Sequence, residues 1–253
     1  MISLLFALHF YLHYVFYGII VMDNNIIKWG VYVLKMFKDS LNLDATIAKD
    51  LFDNCDYPWE VLPKIKEFIM NLIPNLGDEY EEVDENVYVH KDAKVAKSAC
   101  IVGPTIICKN AEIRHCAYIR GSVIVGENSI VGNSTEVKNA IIFNNCQCPH
   151  YNYVGDSILG EYAHTGAGVI LSNVKSDKKN IKIKINDEII ETGLRKFGAI
   201  LCDHVEVGCN SVLCPGTVIL NNSNIYPLTR VRGLINSNVI VKDMENIIEK
   251  EDR

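Results

Sequence analysis

The 253-residue chain has no excess of positive charge: 25 Lys and Arg stand against 31 Asp and Glu, a net charge of −6. A surface that neutralises nucleic-acid phosphates needs clustered cations, so a nucleic-acid partner is excluded. The nine cysteines include no C-x-x-C pair and their number is odd. That argues against a disulfide framework and for reduced thiols in a reducing compartment. Residues 2–21 carry no Asp, Glu, Lys or Arg, and no Lys or Arg precedes them, which excludes an ordinary secretory signal. Between Asn25 and Asn75 there is no Gly-rich, Lys- and Arg-bearing loop of the kind that cradles nucleotide phosphates, nor room for a domain built around one.

What is present is a period of six. Val83, Val89, Val95, Ile101, Ile107, Ile113, Ile119, Val125, Val131, Val137 and Phe143 form one apolar column. Four positions after most of them stands a small residue, as at Ala93, Ala99, Thr105, Ala111, Ala117, Ser129 and Thr135, with mostly polar, glycine or charged residues between. An antiparallel sandwich alternates with period two and gives no reason for a column at six. A parallel β-helix does: each hexad supplies one short strand and a turn, and coils stack at the ~4.8 Å strand spacing to bury what one hexad cannot.

Four segments follow. Residues 1–22 are a hydrophobic stretch long enough, at about twenty residues, to span a bilayer, or else a mis-called extension ahead of Met22-Asp23-Asn24. If they are an anchor, Lys28, Lys35 and Lys38 keep the remainder on the cytoplasmic side. Residues 23–80 read as a helical cap. Asp44 is placed to cap a helix containing Ile47 and Leu51, and Trp59, Leu62, Ile65, Phe68, Ile69 and Leu72 share one face of a second helix with Pro58 near its start and Pro63 one turn in. Such a unit would shield the open end of the β-helix. Residues 81–240 are the β-helix, interrupted by an excursion at 174–198. There Ile181 to Ile185 alternates, with Asn186 and Asp187 as the turn to a partner strand at Glu188 to Glu191. The column resumes at Leu201, Val207, Leu213, Ile219, Ile225 and Val231, and residues 241–253 read as a short helix or tail. Between Phe143 and the frame Tyr153, Leu159, Thr165 and Leu171 the repeat slips by four around Pro149 to Asn152, and such irregularities cluster at function.

Arg120 and Lys138 stand eighteen residues apart, one coil, which makes them either a clamp for a phosphate or a solvated pair on the surface. His150, in the slip, is either a general base or a hydrogen-bonded surface histidine. Gly166-Ala167-Gly168 offers close backbone approach and amide donors. No metal site is expected at Cys146, Cys148 and His150.

Gly132-Asn133-Ser134-Thr135-Glu136-Val137-Lys138-Asn139, Pro149-His150-Tyr151-Asn152-Tyr153-Val154-Gly155-Asp156-Ser157, Gly166-Ala167-Gly168, Asn173 and Thr192-Gly193-Leu194-Arg195-Lys196-Phe197-Gly198-Ala199 resemble, in that order, the C-terminal half of the bifunctional sugar-1-phosphate nucleotidyltransferase/glucosamine-1-phosphate acetyltransferases. The likeness runs from about Pro58 to Val231; the nucleotidyltransferase half is missing. It implies a left-handed parallel β-helix and a hexapeptide-repeat acyltransferase using acetyl-CoA and an amino-sugar phosphate, assembled as a homotrimer. By the same resemblance His150 is the catalytic base. Arg120, Lys138, Tyr153 and His164 contact the sugar phosphate, and Ala167, Asn173 and Lys196 the acetyl-CoA side. His164 stands where the family has an asparagine, Leu220 replaces a glycine, and Ile225-Tyr226-Pro227-Leu228-Thr229-Arg230 lacks the small residues of the family's CoA channel. Two other classes compete: a non-catalytic sugar-nucleotide binding or scaffolding β-helix, and a zinc hydrolase on the same fold, for which His150, His164 and His204 show no matching spacing.

Overall fold

The computed structural model describes residues 39–185 and 188–251. The hydrophobic segment 1–22, the first part of the cap and the Asn186-Asp187 turn lie outside the described residues. The described residues form a parallel β-helix in which three columns of inward residues run the length of the stack. The first face carries Val89, Ile107, Val125, Ile142, Leu159, Leu201, Ile219 and Ile235. The second carries Val95, Ile113, Val131, Cys148, Thr165, Val207, Ile225 and Val241. The third carries Ile101, Ile119, Val137, Val154, Leu171, Leu213 and Val231. Three hexads per coil give the geometry of the left-handed β-helix implied by the sequence resemblance.

Several column positions differ from the sequence reading. Val83 is 59% exposed, because it sits on the antiparallel strand Tyr80–Asp84 rather than on a rung. The frame shift is real, for Leu159, Thr165 and Leu171 fill the columns, but it is not a single break around Pro149. Two single-residue contractions produce it: Val137 is followed five positions later by Ile142, and Val154 five later by Leu159. Phe143 and Tyr153 therefore stand beside the column, and Ile142 and Val154 fill it. The strands there, Glu136–Ile142 and Tyr153–Leu159, run straight through the corner that elsewhere separates the third face from the first.

The first face is apolar on both sides. Its outward residues Ile106, Ile124, Ile141, Ile158, Ile200 and Val218 are fully buried, which needs a cover. The N-terminal helical segment supplies it, lying on this flank rather than on the open end. Helix α1, Ile65–Leu72, packs against Val123–Val125 and Glu136–Ile142. Phe52 meets Phe143 edge-on at 6.0 Å, and Trp59 lies 5.8 Å from Phe197. Asp203 anchors the entry: its carboxylate accepts from the backbone N–H groups of Asn42 (2.6 Å) and Glu161 (2.8 Å), and its own N–H donates to Ser40 O. Leu43–Ala45 and Lys49–Phe52 form separate 3₁₀ turns, with Asn42 and not Asp44 as the cap of the first. Pro58–Lys64 is also 3₁₀, and the α-helix begins only after Pro63, which has no N–H to donate.

The ends of the stack are closed by antiparallel strands. Tyr80–Asp84 pairs with the first rung strand, Val87–His90, and Asn246–Glu249 pairs with the last, Val239–Asp243. Residues 246–249 are thus strand rather than the helix or tail read from sequence, and they cover an edge that would otherwise be free to pair. One corner carries a side-chain ladder. Asn110, Asn128 and Asn145 all have φ near +60°, and each side chain donates to the next, ending on Glu161. In the excursion, Lys182–Ile185 pairs antiparallel with Glu188–Glu191 and buries Ile183 and Ile185, with Ile181 packed over Gly216, where a Cβ would lie 2.4 Å from it.

Trp59→Ala should cost about 3–5 kcal/mol in denaturant unfolding, the range for an aromatic removed from a packed site. The thiols give a second test. Burial pushes Cys108 and Cys148 up to about 12 and also raises Cys146 and Cys202. Cys100, Cys116 and Cys209 are exposed, so a thiol-exchange reagent should react rapidly with these three in the native protein and reach all nine only after denaturation.

Candidate active site

The third face presents outward, rung after rung, Tyr118, Glu136, Tyr153, Ile170, Val212 and Arg230. The residues singled out from sequence border it on two corners. On one corner His115, Asn133, His150, Ala167 and Cys209 stack, linked by backbone N–H groups of the following rung: Ser134 to His115 O, Tyr151 to Asn133 O, Gly168 to His150 O and Asn210 to Ala167 O. On the other stand Arg120, Lys138, Asp156 and Asn173.

The second corner holds a connected polar cluster. Lys138 Nζ donates to Asp156 Oδ2 at 3.3 Å, and Asn139 Nδ2 donates to Asp156 Oδ1 at 3.0 Å. Asn173 Nδ2 donates both to Asp156 Oδ2 and to the Tyr153 hydroxyl, 3.2 Å away. Burial, then the Asp156 and Glu136 charges, hold the Tyr153 phenol above its ordinary pKa. Gly155 permits the arrangement, since a Cβ there would lie 2.6 Å from the Tyr153 hydroxyl. The excursion returns at this point, with Phe197 N–H donating to Asn173 O and Gly198 N–H to Asp156 O, so exposed Lys196 flanks the cluster. Arg120 is one coil away and donates to Glu136 Oε1 at 2.6 Å, with its guanidinium 5.9 Å from the Tyr118 ring centre. Each cation of the suggested clamp therefore already has a carboxylate partner.

The first corner is drier in partners. The backbone N–H of His150 donates to Asn152 Oδ1 at 3.2 Å, its ring makes no hydrogen bond among the described residues, and the side chain is exposed. Asn133 is its register neighbour one rung away, and the Asn133 Oδ1 is buried without a partner. Ala167 lies one rung beyond, its N–H unbonded among the described residues. His164 points elsewhere: on the second face it lines an open groove of about 940 Å³ with Glu206, Asn224, Tyr226, Pro227 and Ile240, closed at the far end by residues 248–251. Gly166 and Cys209 also line this groove, so it starts beside Ala167.

Within one chain, then, Lys138, Tyr153, Asn173 and the flank of Lys196 come together. Arg120 adjoins them, His150 and Ala167 face them across one strand width, and His164 stands apart. Asp156 and Asn133 were missed in the sequence. The signal for Asp156 was the five-residue step between Val154 and Leu159, hidden by choosing Tyr153 as the column residue. Cys146 and Cys148 face the core, with Cys146 Sγ donating to Gly160 O at 2.8 Å, while His150 is exposed; among the described residues no group of three candidate ligands is placed to hold a metal.

A family model described as the GMPPB C-terminal domain matches residues 83–190. Among curated relatives, the bifunctional sugar-1-phosphate nucleotidylyltransferase/acetyltransferase of Sulfurisphaera tokodaii is 34% identical over 174 residues, covering 67% of this chain and 43% of the relative. The bifunctional protein GlmU of Methanococcus vannielii is 32% identical over 223 residues, 87% of this chain and 54% of the relative. The chain thus spans about half the length of these relatives. Among solved structures, a variant of AntD, an N-acyltransferase from Bacillus cereus in complex with dTDP and coenzyme A, aligns with a TM-score of 0.39 at 16% identity, covering 70% of this chain and 93% of that one.

Lys138→Met leaves Asp156 as a buried carboxylate without its cation. The expected cost is roughly 3 kcal/mol near neutral pH, measured by denaturant unfolding.

Proposed function

The chain belongs with the C-terminal, hexapeptide-repeat half of the bifunctional sugar-1-phosphate nucleotidylyltransferase/acetyltransferases, and we infer that it transfers an acetyl group from acetyl-CoA to the amine of an amino-sugar phosphate. The observation that carries this reading is the third face with its two borders: a cluster of Lys138, Tyr153 and Asn173 on one side, and His150 beside Ala167 on the other.

The residues divide the work as follows. Arg120, Lys138 and Tyr153 hold the sugar phosphate, with the cations exchanging part of their contact with Glu136 and Asp156 for contact with phosphate. His150 takes the proton from the attacking amine. The buried Asn133 Oδ1, without a partner one rung away, is the acceptor that a turn of the ring would offer to the N–H not facing substrate. The free Ala167 N–H is placed to stabilise negative charge on the acyl oxygen. The groove that starts beside Ala167 has room for an extended thioester arm. The thioester supplies the activated acyl group, and direct attack needs no metal and no covalent enzyme intermediate. Asn173 and Lys196, on the opposite corner from Ala167, fit the donor side where a neighbouring copy brings its own groove against this face. A homotrimer with shared sites satisfies that requirement, and on this reading the acetyl-CoA-dependent reaction belongs in the cytoplasm.

A second reading is favoured by one observation, the carboxylate already paired with each clamp cation: a sugar-nucleotide binding protein that transfers nothing. The two separate cleanly. Purified protein mixed with acetyl-CoA and glucosamine-1-phosphate or galactosamine-1-phosphate should release free CoA, and His150→Ala should lower kcat by a factor of about 10²–10⁴ without changing the melting temperature. Absence of CoA release across amino-sugar phosphates, with calorimetric binding of a UDP-sugar but not of acetyl-CoA, selects the binding protein instead.

A further inference from the structure

Asp156 enters the chemistry above only as the carboxylate that Lys138 partly gives up, yet it is the most heavily engaged side chain at the corner. The residue is 5% exposed, and its two carboxylate oxygens accept from Lys138 and Asn139, neighbours on one rung, and from Asn173 on another. Asn139 uses the same amide nitrogen to reach Leu62 O at 3.1 Å, which ties the carboxylate to the helical segment over the first face. Asn173 passes the connection to the Tyr153 hydroxyl. Asn139 and Asp156 both take left-handed backbone conformations, φ 45° and 49°, at the two contracted corners of the coil. The contractions thereby stack these two side chains one above the other, where a regular six-residue step would separate them from the straight strands.

We propose that Asp156 is the positioning residue of the acceptor site: it holds Lys138 and Asn173, and through Asn173 the Tyr153 hydroxyl, in one arrangement, and its charge limits how tightly an anion is bound at Lys138. The proposal rests on the reading that this cluster faces a sugar phosphate. A phosphate reaching the Lys138 ammonium comes within a few ångströms of the Asp156 carboxylate, so the pair exchanges an internal counter-ion for an external one. Binding is weaker than a bare lysine would give, release is correspondingly faster, and the ammonium never relaxes out of place between turnovers.

Asp156→Asn removes the charge and keeps the shape. Inorganic phosphate and glucosamine-1-phosphate should bind the variant several-fold more tightly by calorimetry, while kcat falls tenfold or more with a lowered KM. A residue that merely stabilised the fold would weaken both together. A further readout is the Tyr153 phenol, followed by fluorine NMR in 3-fluorotyrosine-labelled protein and assigned with Tyr153→Phe. Removing the neighbouring negative charge should let that phenol ionise at lower pH than in the parent. Phosphate binding and the Tyr153 titration need no turnover, so they report on Asp156 even where no amino sugar is acetylated, an outcome that would count against the transfer reaction alone. Phosphate binding that is unchanged or weaker overturns the proposal, and so does a Tyr153 titration that stays where it was. Should Asp156→Asn not fold, Asp156→Asn/Lys138→Met removes the ion pair as a unit; in that protein the same downward movement of Tyr153 supports the assignment and a fixed titration overturns it.

Discussion

Backbone hydrogen bonding between parallel rungs is the constraint on which everything else rests. Most rungs are only two to four residues of strand, too short to be stable alone, and they are held because their N–H and C=O groups pair with the rungs before and after. That pairing fixes register, and register decides which side chains are neighbours. Residues one coil apart, such as Lys138 and Asp156, meet because the stack permits no other arrangement. Loss of one residue from a rung moves everything after it relative to what came before, and the chain does this twice, at Asn139 and Asp156.

The second contraction restores alignment with the first. Val137 pairs with Val154 and Ile142 with Leu159, so the two shortened rungs match each other through seven-residue strands, while the coil before them keeps the ordinary corner and the coil after them leaves it by the excursion. The straightened region is also where the helical segment sits. Asn139 touches Leu62 O, Phe143 touches Phe52, and α1 packs across Glu136–Ile142. A flat, wide patch of isoleucine accommodates a helix better than a sharp corner, so one local change in repeat length produces both a seat for the cover and a pocket of stacked polar side chains.

How much of this could be read beforehand divides along physical lines. The inward column was plain, because core burial demands an apolar residue at each rung and tolerates few exceptions. The flank cover was not, although Ile106, Ile124, Ile141 and Ile158 spell it out: an isoleucine recurring once per coil, after 18, 17 and 17 residues, marks the one face that is apolar outside as well as in. The slip was misplaced because Phe143 and Tyr153 are apolar enough to pass for column residues, and only pairing shows that Ile142 and Val154 hold those places. The closing strand at Asn246–Glu249 was missed for a related reason. Its residues are exposed on every position, and its existence depends on an open edge elsewhere, a non-local cause that local pattern does not carry.

The candidate site shows the same division. Spacing of eighteen brought Arg120 and Lys138 onto one corner, but spacing could not show that Glu136 and Asp156 sit beside them, so a pair of cations read as a clamp is in fact a pair of ion pairs. This changes the energetics of anything bound there. Two bare cations would hold a dianion tightly and surrender it slowly, whereas two neutralised pairs offer directed donors with little net field. Lys138 is 19% exposed at its side chain and Asp156 7%, so their attraction is screened less than that between Arg120 and Glu136 on the open face. The outer pair is the one a ligand can open at small cost, and the inner pair is the one that keeps its geometry while it does. On the proposed reading, an anionic acceptor would meet Arg120 first and settle against Lys138, with selection between acceptors resting on the shape set by Tyr153 and Asn173 more than on charge.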